Sequence, residues 1–223
     1  VSLAGNMKIN RRDTGAIVFR RPFGGMRKSA IGSGKKAGGF NYVGQFMDIH
    51  YKETNLYESC SSSYIEQMRI FLTRDTVFND ECESAMRYIC HFAHWYEVEF
   101  LKEHDYAHIR GESNVIRYLP VKSVMLRLKD NDALDEIITT IMAIKMIGAH
   151  IYISIPKKSR RAEFIWLESK QSSFIGKEDS FTRDDENEVI ELASKAQRLR
   201  YLSPENVPMS VYEKLSSTAR YIA

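Results

Sequence analysis

Residues 22–39, "PFGGMRKSAIGSGKKAGG", combine glycines and lysines in the manner of a loop that could bind a phosphate. Backbone N–H groups and a lysine ammonium are common ligands of such an anion. A Walker-type loop requires Gly-Lys followed by Ser or Thr, with another glycine five positions before that Gly. Here Gly34-Lys35 precedes Lys36, and Ser29 stands five positions before Gly34. The pattern excludes a Walker loop, and no strand leads into a G-x-G-x-x-G that opens a helix.

The three cysteines are the other residues with reactive chemistry: Cys60, Cys82 and Cys90. They form no C-x-x-C pair, which is typical of a reducing compartment and predicts no disulfide framework. Cys60 is a lone cysteine in a soft polar stretch and a weak candidate nucleophile. Cys90 and His94 stand one helical turn apart, but without a second ligand cluster they favour packing over a zinc site. No metal site is predicted.

Positive charge is concentrated at the start of the chain. Residues 1–50 hold nine Lys or Arg against two acids, a net charge of +7, so the rest carries −4 within a total of +3. Aromatic residues do not interleave with these charges, which favours a small anionic ligand or an acidic interface over nucleic acid. The apolar stretch 133–155 contains Asp135, Glu136 and Lys145 and is not a simple membrane span. No secretory signal is recognisable, so we expect a cytoplasmic location.

The predicted secondary structure differs between successive segments of the chain. Residues 1–50 are glycine-rich, with strand-like runs but too few apolar residues for a core, so we expect poor packing without partner strands. Apolar residues recur at steps of three and four over 80–104, which predicts a helix with Asp80 as its N-cap. Strand and helix patterns then alternate: strands at 121–128, 149–156 and 163–167, and helices at 130–148, 183–200 and 210–223. This alternation predicts an α/β fold with a parallel crossover.

Residues 5–47 resemble the C-terminal part of an aldehyde dehydrogenase catalytic domain. The segment is most similar to the pyrroline-5-carboxylate dehydrogenase branch, which oxidises glutamate semialdehyde to glutamate with NAD. Within that branch it resembles the bifunctional proline utilization proteins, which also carry a proline dehydrogenase. The positions at the family's spacing are Gly5-Asn6, Ile9-Asn10-Arg11, Thr14 to Val18, Pro22 to Gly25, Lys28-Ser29 and Lys35 to Gly39. It departs from the family at Arg12-Asp13, at Arg21, which replaces a Gln, and at Phe40, which replaces a proline.

The resemblance implies that a short turn anchors the substrate. The substrate carries an α-carboxylate far from its aldehyde, and holding that end orients the aldehyde toward the nucleophile. In the family, backbone amides of a Thr-Gly-Ala or Thr-Gly-Ser turn do this, which implies Thr14, Gly15 and Ala16 here. A Cβ at Gly15 would obstruct close approach of the ligand to the backbone. Phe23 corresponds to the aromatic residue that lines the aldehyde pocket in the family. Without the resemblance, the glycines would favour ordinary turns.

The same resemblance implies that this chain is a fragment. The family's thiolate, glutamate base and nucleotide-binding domain lie upstream of Pro-Phe-Gly-Gly, where this chain has 21 residues and no cysteine. We therefore expect no catalytic or cofactor-binding residue here and no activity of the fragment alone, with NAD and FAD as cofactors of the parent. The implied partners are the rest of the parent chain, glutamate semialdehyde and further copies in a homo-oligomer. The parent is also expected to associate peripherally with the inner membrane.

Three segments are predicted: 1–52 as the tail of the catalytic domain, 53–110 as a helical linker, and 111–223 as an α/β extension whose truncation is left open. The extension resembles a degenerate, Rossmann-like aldehyde dehydrogenase domain that has lost its catalytic parts. Asp130-Asn131-Asp132 stand where active relatives have Pro-Trp-Asn, and acids there would repel an oxyanion or a phosphate. Lys157-Lys158-Ser159 stand where active relatives place a lysine that touches the cofactor ribose, but a solvated basic turn is favoured.

Two functions stay open at this point. In the first, the chain is the tail of the dehydrogenase, and its extension supports channeling between the two activities or assembly. In the second, residues 50–223 form an independent module that binds a partner protein or a membrane surface. The wide apolar arc of the helix at 80–104, which includes Trp95, would then be the docking face.

Overall fold

The computed structural model describes residues 4–12, 15–26, 29–30, 35–48, 63–74, 77–216 and 221–222. The chain forms two compact units. The first comprises Val1–Thr54 and Leu101–Tyr118, and the second comprises Asn55–Phe100 and Leu119–Ala223. Residues 5–47, called the glycine segment below, belong to the first unit.

The first unit contains little regular secondary structure. Strand β1, Glu103–His104, pairs antiparallel with β2, Ile116–Arg117, and this pairing closes the loop of residues 105–115. Regular structure in the described part of the glycine segment is limited to two isolated bridges and a 3-10 turn: Ile17–Arg21, Phe23–Ala37 and Val43–Phe46. Many of its large apolar side chains are exposed. The segment has too few apolar residues to enclose a core of its own.

The second unit is built on a parallel sheet of order β5-β4-β3-β6-β7. The strands are β3 Ser123–Arg127, β4 His150–Pro156, β5 Ser180–Asp184, β6 Arg198–Arg200 and β7 Tyr221–Ile222. The chain adds β4 and β5 on one side of β3 and then crosses to its other side for β6. The sheet is therefore doubly wound, and the predicted α/β class is confirmed.

Helices cover both faces of this sheet. One core contains side chains from α1 Ser63–Thr73, α2 Asn79–Trp95, α3 Leu134–Met146 and α4 Ala162–Phe174. The other contains side chains from α5 Glu186–Ala193 and α6 Met209–Ser216. Successive residues of a strand point to opposite faces, so Leu126 lies in the first core and Met125 in the second. No helix in the described part of the chain is both long and apolar enough to cross a membrane.

The helices before the sheet belong to the same unit as the sheet. Helix α2 packs along α3, and Ser84 Oγ donates to Asp135 Oδ2 at 2.8 Å. Its buried face includes Cys82 and Cys90. This grouping differs from the three predicted segments, which placed these helices in a separate linker. Sequence periodicity reports that a helix has a buried face but not which element covers it.

The predicted strand at 163–167 is wrong, because these residues form the first turns of α4. Phe164, Leu167 and Phe174 recur at helical spacing and are buried, whereas Ile165 between them is exposed. A run of four apolar residues, Phe164 to Leu167, does not distinguish a buried strand from a buried helix. The strand that pairs with β4 is instead β5.

Three predicted helices are shorter than expected. The helix predicted at 183–200 is limited to α5, and the end of β5 and all of β6 also lie in that range. In β6, Leu199 is buried between two arginines. The helix at 80–104 begins at Asn79, so Asp80 lies in its first turn, and it continues after Trp95 as a π-helical turn. The helix at 210–223 ends at Ser216, before β7.

Paired substitutions in α4 test whether these residues are helical. Phe164 is 0% exposed and Ile165 is 53% exposed. Phe164→Ala is expected to lower the free energy of unfolding by about 3–5 kcal/mol, because it leaves a cavity in the core. Ile165→Ala is expected to change it by no more than about 0.5 kcal/mol. Chemical denaturation followed by circular dichroism measures both, and a large loss for Ile165→Ala would contradict the helix.

Candidate functional site

Gly15 offers an open stretch of backbone at the predicted substrate anchor. Its backbone φ is +81°, a value that residues with a Cβ rarely adopt. A Cβ built there would have no atom within 4 Å other than those of its chain neighbours. Ala16 beside it is exposed. Thr14, the third predicted anchor residue, lies outside the described residues. Apart from its two chain neighbours, Gly15 therefore has open space into which a carboxylate could fit.

The Pro-Phe-Gly-Gly turn is held by two side chains from elsewhere in the glycine segment. Asn6 Nδ2 donates to the Pro22 carbonyl at 2.7 Å, and Asn6 Oδ1 accepts the Gly24 N–H at 3.1 Å. Lys36 Nζ donates to the carbonyls of Gly24 and Gly25 at 2.7 and 2.5 Å. Burial also lowers the pKa of Lys36. This lysine binds its own chain's carbonyls, which agrees with the exclusion of a phosphate loop.

Phe23 is fixed through its backbone while its ring stays accessible. Its N–H and carbonyl both pair with Ala37, at 3.0 and 2.8 Å. Its side chain is 56% exposed. The structure therefore holds the predicted pocket aromatic on a bridged backbone and leaves its ring available for contact.

Other glycines of the segment have a different physical role from Gly15. A Cβ at Gly5 would lie 2.2 Å from the Gly24 carbonyl oxygen, and one at Gly25 would lie 1.7 Å from that of Ser29. Real side chains do not tolerate such distances, so these two glycines allow backbones to pack against each other. Gly15 alone among these three combines a left-handed backbone with open space.

Sequence reasoning missed Glu112, which binds three arginines of the glycine segment. Arg20 and Arg21 each approach Glu112 Oε2 at 2.6 Å, and Arg11 pairs with Glu112 Oε1. Hydrogen bonds from Arg20 and Arg21, followed by that from Arg11, hold the pKa of Glu112 far below its ordinary value. The partners lie more than 90 positions apart, so no local pattern could have paired them.

The carboxyl edge of the sheet in the second unit carries a buried polar network. Arg127 at the end of β3 donates to Ser154 Oγ at 2.9 Å and to Glu186 Oε1 at 3.0 Å. Lys129 Nζ donates to the same Glu186 oxygen at 2.5 Å. Ser154 in turn donates to Asp184 Oδ2 at 2.6 Å. Ion pairs between strand ends thus cover this edge.

The network lies where a doubly wound sheet ordinarily binds its ligand. The strand order reverses between β3 and β6, and the crevice at such a switch point is the usual site. Tyr201, just after β6, is buried there, with the Lys129 ammonium 5.6 Å from its ring centre. Burial and the nearby Glu186 carboxylate raise the pKa of Tyr201. Burial opposes ionisation of Glu186, but the bonds from Lys129 and Arg127 hold its pKa below the ordinary value.

The residues at this edge do not fit a dinucleotide. The turn after β3 contains Asp130 and Asp132, and buried Asp132 accepts the Lys129 N–H at 2.7 Å and a bond from Asn206 at 3.2 Å. Burial raises the pKa of Asp132, with smaller opposing effects from its hydrogen bonds and nearby cations. A pyrophosphate needs glycine N–H groups at a helix N-terminus, and this turn presents acidic side chains instead.

A basic cavity of about 430 Å³ follows β4. It is lined by Lys157, Lys158, Ser159, Arg160, Ile165 and Arg183. Lys157 pairs with Glu188 at 2.8 Å, and Arg183 pairs with Glu168 at 2.8 Å. Two of its four cations are therefore neutralised by acids of the same unit, and exposed Lys158 and Arg160 make this surface attractive to anions.

The cysteines do not form a reactive site in the described part of the chain. Cys82 and Cys90 are buried on α2 and are not in a disulfide in the described part of the chain, and Cys60 lies outside the described residues. The described residues contain no group of three or more His, Cys, Asp or Glu that could hold a metal ion. His94, the proposed neighbour of Cys90, is only part-buried at the end of α2.

Comparison with known proteins identifies a similar fold. No protein-family model matches the chain. A solved structure described as "Structure of Proline Utilization A (PutA) from Corynebacterium freiburgense" is similar over 96% of this chain, with a TM-score of 0.60 and 22% sequence identity. This chain spans 17% of that chain's length. At this identity the likeness establishes a shared fold.

The ion pairs at the carboxyl edge of the sheet predict how two substitutions change the free energy of unfolding. Glu186→Gln is expected to lower the free energy of unfolding at pH 7 by about 1–2 kcal/mol, because it leaves buried Arg127 without a carboxylate. That cost is less than for a fully buried pair, since Glu186 is 37% exposed. Arg127→Met with Glu186→Gln is expected to be more stable than Glu186→Gln alone.

Denaturation over a range of pH gives the second part of this test. The pKa of folded Glu186 is lowered, so its contribution is present above about pH 4 and is lost as the pH falls through the folded value. The difference between Glu186→Gln and the unmodified chain should therefore shrink in acid. A double variant less stable than Glu186→Gln would contradict this interpretation of the edge.

Proposed function

We propose that this chain is the C-terminal part of a bifunctional proline utilization enzyme. Its glycine segment would contribute the substrate anchor of the dehydrogenase that oxidises glutamate semialdehyde to glutamate. The observation that carries the proposal is the open, left-handed backbone at Gly15, beside a Pro-Phe-Gly-Gly turn fixed by Asn6 and Lys36. The fold likeness to a proline utilization A structure over 96% of the chain supports it.

In this proposal, main-chain N–H groups at Thr14, Gly15 and Ala16 bind the α-carboxylate of the substrate. Fixing that end places the aldehyde, and orientation of this kind supplies much of an enzyme's rate enhancement. Phe23 presents its ring to the aliphatic part of the substrate. The thiolate, the base and the cofactors NAD and FAD belong to other parts of the parent, so the fragment alone is inactive.

The α/β unit is proposed to be a degenerate, non-catalytic aldehyde dehydrogenase-type domain. Its switch point holds the Arg127–Glu186 ion pair and acidic Asp132 rather than a dinucleotide cradle. A domain that keeps the layers of this fold but fills the ligand crevice is suited to support channeling or assembly. The parent is proposed to be a cytoplasmic homo-oligomer that associates peripherally with the inner membrane.

Asparagine substitutions at two matched glycines in the full-length parent test the anchor. Gly15 and Gly148 both have positive φ and open space around a built Cβ, and Asn tolerates that backbone better than most residues. Gly15→Asn is expected to raise KM for glutamate semialdehyde about 10- to 100-fold, because it obstructs hydrogen bonds to a charged group. Gly148→Asn, at the end of α3, is expected to leave KM unchanged. Steady-state kinetics measures both, and an unchanged KM for Gly15→Asn would refute the anchor.

A second candidate function rests on the exposed aromatic face of α2. Tyr88, Phe92 and Trp95 recur at helical steps of four and three, and all three are exposed. An aromatic stripe of this kind favours an assembly or docking role. The second unit would then act independently of the dehydrogenase chemistry.

Charge substitutions on this face test whether it mediates assembly. Phe92→Asp combined with Trp95→Asp is expected to leave turnover of both activities intact. If the face mediates assembly, the oligomer dissociates, which light scattering after size-exclusion chromatography detects as a lower mass. An unchanged mass at micromolar concentration would remove the assembly role from this face.

A further inference from the structure

Loop 105–115 has no role in the proposed chemistry, yet the side chain of Asp105 binds its backbone at three positions. Asp105 Oδ1 accepts the N–H groups of Ala107 and His108 at 3.2 Å, and its Oδ2 accepts that of Asn114 at 2.9 Å. The bond from Asn114, followed by those from His108 and Ala107, lowers the pKa of Asp105 even though desolvation opposes this. One carboxylate thus joins the two ends of the loop that connects β1 to β2.

The turn inside this loop directs Glu112 toward the glycine segment. Gly111 has φ of +83°, and the Glu112 N–H donates to the Ile109 carbonyl at 3.0 Å. Asn114 Nδ2 donates to Glu112 Oε2 at 3.3 Å. The Glu112 side chain is only 16% exposed. The loop therefore contributes a hydrogen bond to the Glu112 carboxylate in addition to those from the arginines.

The three arginines that bind Glu112 flank the predicted anchor on both sides. Arg11 precedes Gly15, and Arg20 and Arg21 follow it. Between them, Ile17 and Arg21 exchange both backbone hydrogen bonds, at 3.2 and 2.7 Å. One carboxylate consequently holds the two arms of the chain that lead into and out of the turn at Gly15.

A second set of contacts joins the same two segments. Phe40 packs on Tyr106 with ring centres 4.1 Å apart and on Phe19 at 4.9 Å. Arg21 Nε also donates to Asn114 Oδ1 at 3.2 Å. Arg21 and Phe40 are two of the positions at which the glycine segment departs from the family it resembles. Both departures contact the 105–115 loop, so the segment and the loop are matched to each other.

We infer that Glu112 is a positioning residue for the substrate anchor, acting through Arg11, Arg20 and Arg21. This inference rests on the proposed function, since the anchor itself belongs to it. The loop fixes the carboxylate, the carboxylate fixes the arginines, and the arginines fix the backbone at Gly15 and Ala16 relative to the substrate. Three guanidinium groups on one carboxylate also leave an excess of two positive charges in this cluster, which favours an anionic substrate.

Hydrogen exchange on this chain tests the positioning step without reference to any activity. Glu112→Gln keeps the shape of the side chain and removes its charge, and Glu103→Gln is the matched control, because Glu103 pairs with Arg117 at 3.1 Å on the exposed side of β1. Amide exchange at residues 16–21 is expected to accelerate about tenfold in Glu112→Gln and to stay unchanged in Glu103→Gln. Unchanged exchange in Glu112→Gln would overturn the inference whatever the enzyme does.

Kinetics of the full-length parent tests the step from position to substrate. Glu112→Gln is expected to raise KM for glutamate semialdehyde about tenfold with little change in kcat. KM for an aldehyde without a carboxylate, such as propionaldehyde, should not change, because only the carboxylate uses the anchor. Equal losses for both aldehydes would indicate a general folding defect and overturn the inference.

The two proposals fail in different ways. If Gly15→Asn raises KM for the carboxylate substrate and Glu112→Gln does not, the anchor stands and the role of Glu112 is refuted. If Gly15→Asn leaves KM unchanged, the anchor itself is refuted, and faster exchange in Glu112→Gln would then report only a structural contact.

Discussion

Backbone polar groups need hydrogen-bond partners, and in the first unit, where regular structure is sparse, side chains supply several of them. Asn6 and Lys36 bind the main chain of the Pro-Phe-Gly-Gly turn, and Glu112 binds the arginines beside it. Four cations of the segment, Arg11, Arg20, Arg21 and Lys36, thereby bind groups of the same unit. What stays accessible is a short stretch of main chain at Gly15, where no side chain intervenes.

The second unit satisfies the same constraint in the opposite way. Its backbone is paired in a parallel sheet, and the carboxyl edge is closed by ion pairs between strand ends, with Arg127 and Glu186 at the centre. Folds of this kind ordinarily leave that edge open for a ligand. One unit therefore exposes main chain through a glycine, whereas the other fills its crevice with charged side chains. This contrast supports the proposal that substrate contacts the first unit.

Local patterns predicted the central strands of the sheet and the helix that connects them. The apolar runs at 121–128 and 149–156 gave β3 and β4, and the helix between them was placed correctly. The strand predicted at 163–167 was wrong, because a run of four apolar residues is too short to show the periodicity that separates helix from strand. At the site, Gly15 was singled out through the family resemblance, since glycines alone favour ordinary turns. Glu112 was not, because its partners come from a part of the chain about 100 positions away.

The central claim is that this chain continues a dehydrogenase whose reactive thiolate lies outside it. Sequencing the messenger RNA upstream of the codon for Val1, together with the intact mass of the protein from cells, tests it most directly. The account predicts an uninterrupted reading frame that encodes a cysteine-containing dehydrogenase core and, before it, a proline dehydrogenase. A stop codon in frame immediately upstream, or an unrelated domain joined at Val1, would contradict it.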